Sequence, residues 1–343
     1  MSKRVAVLTG GGDCPGINPV IRAIVRKGLQ EGYGLIGIKN GWKGLIEKDI
    51  QVLDLNSVSG ILPRGGTILG TSRTNPYKKI EDEKKAKANL KLLKIDALIA
   101  IGGEDTLGVA YKLYKEGFNI VAVPKTIDND LSATDRTFGF DTAVNIATEA
   151  IDRIHTTAES HHRVMVVEVM GRHSGWIGLE AGIAGGADAI LLPEFPFDIE
   201  EVCALIKKRH GRGKTFSIIV VAEGAKSKER KEVVQEEKLD AFDHIRLGGI
   251  GQILAEEIEK GTGFETRVTV LGHIQRGGSP TAFDRVLGTR YGVKAMELVM
   301  QGKFGQMASL QGNRILSVPL EKAVGTLKTV PKELYDIAAI FFG

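Results

Sequence analysis

Short apolar runs rich in β-branched residues recur along this chain, and each ends in a glycine-rich polar turn that opens into a helical pattern. Arg4 to Thr9 runs into Gly10, Gly11, Gly12 and Asp13, then Pro15 and a helical pattern through about Gln30. Ile95 to Ile101 stops at Gly102, Gly103, Glu104, Asp105 and Thr106, which lead into a helix to about Glu116. Val164 to Val169 ends at Met170, Gly171, Arg172 and His173, and the runs Ile190 to Glu194 and Ser217 to Glu223 each finish on an acidic residue. Unbroken apolar runs of this length suit strands buried on both faces, and strands alternating with helices pair in parallel. The pattern predicts an α/β fold with mostly parallel sheets, whose ligands bind at the carboxyl ends of the strands.

The same edge carries the densest chemistry. The heptapeptide Pro124 to Asp130, PKTIDND, follows the apolar run Asn119 to Val123 and reads as a loop bearing two carboxylates, a hydroxyl and an ammonium. Asp128 suits a general base beside Lys125, although an Asx-type turn accounts for the same residues. The glycine turn at 10–12 offers backbone amides to an anion. Its spacing fits neither the dinucleotide fingerprint nor the P-loop, and tight packing would explain it equally. Glu104 and Asp105 suit a Mg²⁺ that keeps phosphate and water as its other ligands, or simply the N-terminus of a helix, capped by Asp105 or Thr106. Arg73, at the end of the glycine-rich segment from Arg64, is placed either to grip phosphate or to face solvent. Between Arg267 and Ser279 a short strand delivers His273 and Arg276 into a glycine turn, where arginine can clamp a sugar phosphate through paired bonds. Asp141 is expected to cap a helix whose apolar positions Val144, Ala147, Ile151 and Ile154 share one face.

Composition narrows the class. With 343 residues, 43% apolar and 26% charged, the chain has room for two domains with proper cores. A net charge of +4 is mild and spread out, which disfavours nucleic acid as the main partner and suits a small polyanion. The charged stretches Lys78 to Lys91 and Gly224 to Arg246 read as solvated segments. Cys14 and Cys203 form neither a disulfide framework nor a metal spacing. No stretch is long enough to span a membrane, and neither a signal nor a transit pattern is evident, so a reducing cytoplasm is the expected location.

Taken together and in order, TGGGDCPGIN, GGED, PKTIDND, VEVMGRHSGW and VLGHIQRGGSP resemble the 6-phosphofructokinase family over nearly the whole chain. The resemblance implies two similar Rossmann-like three-layer α/β domains with the active site in the cleft between them. One, binding the phosphoryl donor, would comprise residues 1–139 plus about 275–325. The other, binding fructose 6-phosphate, would comprise 140–274 plus about 326–343. It further implies transfer of a phosphoryl group to the sugar 1-hydroxyl, a step of glycolysis, by a homodimer or homotetramer with shared active sites. On this likeness Asp128 is the base, with Thr126 and Asp130 beside it and Arg172 stabilising the group in transfer. Gly11, Gly12 and Arg73 meet the donor, and Glu104 stands where the family usually has a Mg²⁺-binding Asp. Met170, Gly171, Glu223, His273 and Arg276 match the sugar-phosphate pocket, while Arg163 and Arg267 match arginines lent by a neighbouring subunit.

Asp105 and Lys125 stand where ATP-using members of the family carry glycine, and both departures are similar to the pyrophosphate-dependent branch. A carboxylate at 105 would occupy and repel the α-phosphate of ATP, whereas Lys125 can neutralise a departing phosphate. The expected reaction is therefore a reversible transfer from pyrophosphate to fructose 6-phosphate, with an ATP-dependent enzyme as the alternative. Arg22, Arg26, Arg212 and Lys214 match parts of the bacterial effector site. Leu55, Gly60, His155 and Phe216 do not, so nucleotide control is expected to be weak or absent. Two other classes compete: a dinucleotide-binding oxidoreductase, for which the spaced fingerprint and its ribose-binding acid are missing, and a sugar-phosphate sensor, which needs no base.

Overall fold

The apolar runs become strands buried on both faces, as their lack of alternation requires. In a computed structural model, which describes residues 3–228, 234–236 and 246–343, the chain opens with β1 (Arg4–Thr9), α1 (Ile17–Gln30), β2 (Gly34–Ile38), α2 (Trp42–Glu47) and β3 (Ile50–Leu53). It continues through α3 (Ile80–Leu92), β4 (Ala97–Gly102), α4 (Glu104–Lys115), β5 (Ile120–Thr126) and β6 (Phe138–Gly139). Next come α5 (Phe140–His161), β7 (Val164–Val169), α6 (Trp176–Ala184), β8 (Ala189–Leu191), α7 (Ile199–Gly211) and β9 (Ser217–Ala222). The rest is β10 (Val234–Glu236), β11 (Arg246–Leu247), α8 (Ile250–Thr262), β12 (Thr266–Val270), α9 (Ala282–Met300), β13 (Gln306–Gln311), β14 (Arg314–Pro319) and α10 (Lys332–Ala339). Most of the charged segment between Gly224 and Arg246 lies outside the described residues.

Two sheets carry the site. The larger has the order β14-β13-β5-β4-β1-β2-β3, with β6 beside β5, and the smaller has the order β12-β7-β9-β8. The smaller sheet is parallel, and the larger is parallel except at its two ends, where β3 and β14 run antiparallel to their neighbours. From β1 the chain moves outward to β2 and β3, then places β4 and β5 on the other flank. The carboxyl ends of β1 and β4 thus border a topological switch point, the usual ligand crevice of such a sheet. On α5, Ala147, Ile151 and Ile154 join Val5 and Val7 of β1 and Val167 and Val169 of β7 in one continuous core, with Val144 at its margin. Parting the sheets would expose these groups, at roughly 1.5–3 kcal/mol for each large aliphatic side chain.

Several local expectations need correcting. Residues 124–126 are strand rather than loop, because Lys125 and Thr126 pair with Phe138 and Gly139, a two-residue strand too short to show in the sequence. Asp141 does not cap α5: left-handed Gly139 holds that position, and Asp141 instead accepts from Thr281 Oγ1 at 2.6 Å. Nor does Asp105 or Thr106 cap α4, whose N-cap is Gly103 with no side-chain bond, and both residues lie within the first turn. His273 and Arg276 sit in a 3₁₀ turn, Gly272–Arg276, rather than a glycine turn. Strand β3 escaped the sequence pattern because it is a short edge strand with one fully buried side chain, Leu53. Among the described residues, no helix is long and apolar enough to cross a membrane.

Candidate active site

Close packing around Thr106 brings the first two glycine turns together. A Cβ on Gly10 would lie 2.6 Å from Thr106 Oγ1, and one on Gly102 only 2.3 Å from the Thr106 Cβ. Glycine at the ends of β1 and β4 therefore lets this buried threonine wedge between them, so the start of α4 abuts the 10–12 turn. Glu104 and Asp105 fill the first turn of α4 with carboxylates, at the place where a helix would otherwise attract a phosphate.

Lys125 closes the turn from beneath. Its ammonium is buried, only 3% exposed, and donates to the carbonyl of Gly12. Burial holds its pKa below the ordinary lysine value, with Arg276 adding to the effect and Asp128 and Asp13 opposing it. From above, Arg276 Nη1 donates to Asp13 O at 3.3 Å, and a Cβ on Gly12 would fall 2.7 Å from that same nitrogen. Two cations thus clasp the end of the glycine turn, at Gly12 and Asp13. Gly103 and Thr106, read from the sequence only as part of a turn and as a possible helix cap, also line this part of the cleft.

Beyond the strand, Thr126 Oγ1 accepts from the backbone of Asp128 at 3.0 Å and fixes its approach. Asp128 is 4% exposed, and its Oδ1 is buried without a hydrogen-bond partner. An unmatched carboxylate oxygen in such a place is costly unless a ligand meets it. Two further carboxyls face it. Burial and then the Asp128 charge push Asp130 well above the usual carboxylate range, and the same two causes raise Glu223 to about 7. Asn129 and Arg172, both non-glycine residues, adopt left-handed backbone with φ of 52°. Such conformations cost energy and concentrate where side chains must be aimed.

One cleft between the two sheets gathers Gly11, Gly12, Arg73, Glu104, Asp105, Lys125, Thr126, Asp128, Asp130, Arg172 and Arg276. Two of these follow strands of the smaller sheet, Arg276 after β12 and Arg172 after β7. Met170, Gly171 and Glu223 stand behind Arg172: Glu223 Oε1 accepts from the backbone of Arg172 at 3.0 Å, and Met170 N donates to the buried side chain of Gln275 at 3.4 Å. His273 is exposed and does not line the cleft. Arg163 and Arg267 are elsewhere, both paired with Glu265 at the amino-terminal edge of the smaller sheet. Arg163 precedes β7 and Met170 follows it, so about 20 Å of strand separates this pair of arginines from the cleft in the same chain. At two of the effector positions that do not match, His155 Nε2 is 2.7 Å from Gly185 O and its ring packs edge-on against Phe216.

Sequence reasoning missed the loop's supports. Asn129 Oδ1 accepts from Thr137 N at 3.1 Å and from Lys328 Nζ at 3.0 Å. Lys328 is nearly two hundred residues away in sequence, in a stretch with no glycine turn and no apolar run to mark it. The TIDND stretch itself signalled a turn, but not what would hold it.

A doubly sheeted α/β chain with a cation-lined, carboxylate-bearing cleft at a switch point defines an enzyme class that handles phosphate esters or phosphoanhydrides. Comparison with known proteins narrows this, because the phosphofructokinase family model matches residues 4–299. The chain belongs to the phosphofructokinase family. It is 58% identical to the pyrophosphate–fructose 6-phosphate 1-phosphotransferase of Streptomyces coelicolor, over 99% of this chain and 100% of that one. It is also 53% identical to the ATP-dependent 6-phosphofructokinase of Corynebacterium efficiens, over 99% of each chain. The solved phosphofructokinase of Saccharomyces cerevisiae superposes with a TM-score of 0.82 at 32% identity, covering 99% of this chain and 47% of that one. These values support the two-domain fold expected from the sequence.

Proposed function

We propose that this chain is a pyrophosphate-dependent 6-phosphofructokinase, which transfers a phosphoryl group from pyrophosphate to the 1-hydroxyl of fructose 6-phosphate and releases phosphate. Three relatives at 58% identity are named for pyrophosphate, and the ATP-named relative of Corynebacterium efficiens stands at 53%. The observation that carries the choice is the buried Lys125 ammonium against Gly12, in the same cleft as Asp105. A small dianionic leaving group is met by a cation already desolvated, so its charge is stabilised strongly. The longer nucleotide meets the two carboxylates that fill the start of α4. With no nucleoside product the step is close to balanced and runs in both directions, at a point in glycolysis.

In this reading Asp128 accepts the proton of the attacking hydroxyl, and its unmatched Oδ1 is the oxygen placed to do so. Thr126 holds its backbone, Arg172 and Lys125 face the transferring group, and Arg73 and Arg276 grip outlying phosphate oxygens. Asp130 stands beside Asp128, its own carboxyl held above the usual range by burial and then by the Asp128 charge. The donor side corresponds to residues 1–139 plus about 275–325, and the sugar side to 140–274 plus about 326–343. Met170, Gly171, Glu223 and His273 are assigned to the sugar.

The donor set suits Mg²⁺. Among the described residues no cluster of three or more His, Cys, Asp or Glu side chains forms a protein cage, and Mg²⁺ bound to phosphate needs only one or two carboxylates. Glu104, whose Oε1 also accepts from Gly325 N at 3.1 Å, is the proposed holder. Bound there, the ion would offset phosphate charge. Arg163 and Arg267, unable to reach their own cleft, are assigned to the sugar phosphate of a neighbouring subunit in a cytoplasmic homodimer or homotetramer. Initial rates on desalted protein with Mg²⁺ and either pyrophosphate or ATP as sole donor test the proposal. Turnover with pyrophosphate and none with ATP is expected, and the reverse would move the chain to the ATP-dependent class.

A further inference from the structure

We infer that Lys328 is a positioning residue for the transfer step, tying the loop that carries Asp128 to the turn that carries Arg172. Its ammonium has three N–H donors, and three oxygens of the loop receive them: Asn129 Oδ1 at 3.0 Å, Thr134 O at 3.0 Å and Asp135 O at 2.9 Å. Its backbone N–H donates to Asp130 O at 2.8 Å. On its other side, the carbonyl of Lys328 accepts from Trp176 Nε1 at 3.1 Å and Ser174 Oγ at 3.2 Å, and the ammonium lies 5.4 Å from the centre of the Trp176 ring. One residue therefore satisfies both walls of the cleft.

Its neighbours extend the same tie. Leu327 pairs with Leu131 in an antiparallel bridge, Ser132 Oγ donates to Thr326 O at 2.6 Å, and Gly325 N reaches Glu104. Two residues on, Val330 N donates to Glu194 Oε1 at 2.9 Å, the carboxylate that also accepts from Gly175 N. The segment from 325 to 330 thus touches the donor-side acid, the loop of the base and the turn after Arg172. Burial, with Arg136 close by, lowers the Lys328 pKa to about 8, while Asp135, Asp130 and Glu180 oppose that shift. The group keeps its proton, and so all three donors, at neutral pH.

Transfer needs Asp128 and Arg172 on opposite sides of one phosphoryl group, and an ångström of misplacement can cost about a hundredfold in rate. A tie that acts on the distance between them controls turnover more than binding. The inference rests on the reading of Asp128 as the base. Lys328→Met in the full chain is expected to lower kcat by about tenfold or more while leaving KM for both substrates within about twofold. Amide exchange across residues 127–137 should speed up, with β5 unchanged. A folded variant with wild-type kcat overturns the inference, since a merely structural lysine would lower the melting temperature and leave kcat alone. If Lys328→Met does not fold, Asn129→Gly serves: it keeps the left-handed backbone, removes one of the three acceptors, and should give the same selective loss of kcat. An unchanged kcat in Asn129→Gly overturns the inference just as well. Should the wild type show no transfer with pyrophosphate or ATP, the functional reading fails by itself, and unchanged loop exchange in the variants then removes the tie as well.

Discussion

The strand ends and loops of the larger sheet deliver eleven of the thirteen residues that line the cleft, whereas the smaller sheet delivers Arg172 after β7 and Arg276 after β12. The first side is finished within one chain, with Lys125 buried against Gly12 and Asp128 aimed by Thr126. The second is backed by Glu223 and Gln275, but its strongest candidate anion-binding groups, Arg163 and Arg267, are spent on Glu265 at the wrong end of the strands. A phosphoanhydride needs recognition by charge alone, which a compact turn can supply. A sugar phosphate needs a wider pocket, which in the proposed function is completed by a second copy.

Removing the proposed proton acceptor should produce the largest break in this contrast. Asp128→Asn is expected to lower kcat by about 10²-fold or more with little loss of sugar-phosphate affinity, measured by steady-state rates and direct binding. Unchanged turnover would remove Asp128 as base. Next comes the donor: replacing both Asp105 and Lys125 by glycine should shift the ratio of kcat/KM for pyrophosphate over ATP toward ATP by about tenfold or more. Loss of pyrophosphate use without any gain of ATP use would leave Lys125 in its role and take Asp105 out of donor choice.

The proposed sharing of the sugar side makes a prediction of a different kind. Asp128→Asn and Arg267→Ala proteins should each be nearly inactive. Mixed in equal amounts and allowed to exchange subunits as dimers, they should regain about a quarter of wild-type specific activity. Half of the dimers would be hybrids, and each hybrid holds one intact site. No recovery on verified exchange would return Arg267 to a purely structural pairing with Glu265.

What the sequence disclosed follows the same division. The strand ends, the glycine turns and the heptapeptide were legible because parallel strands are continuous apolar runs and the turns interrupt them sharply. Lys125 and Asp105 were visible as charges in those turns, but only likeness to the family marked them as standing where its ATP-using members carry glycine. Less legible were features made by tertiary pairing. Two-residue β6 converts the first part of the heptapeptide into strand, Gly139 displaces Asp141 as the cap of α5, and Lys328 reaches the loop from the far end of the chain. Arg163 and Arg267 were found by likeness to the family, and only the direction of β7 and β12 explains why they cannot serve their own cleft.

The smallest effect concerns the carboxyl behind Arg172, and it tests whether the two sides of the cleft are electrostatically joined. Glu223 titrates near 4.5 when unfolded and at about 7 in the folded chain, first through burial and then through Asp128. Between these values the folded state holds a proton that the unfolded state has lost, so its contribution to stability is full below about 4.5 and is lost as pH rises through 7. Above that, an ionised Glu223 costs on the order of 2–3 kcal/mol. Glu223→Gln should therefore raise the melting temperature relative to wild type by about 2–5 °C more at pH ~8 than at pH ~5, without ligands. In an Asp128→Asn background that difference should shrink, because the neighbouring charge from the larger sheet is gone. If it does not shrink, burial alone sets the Glu223 proton, and the sugar side is tuned independently of the base it serves.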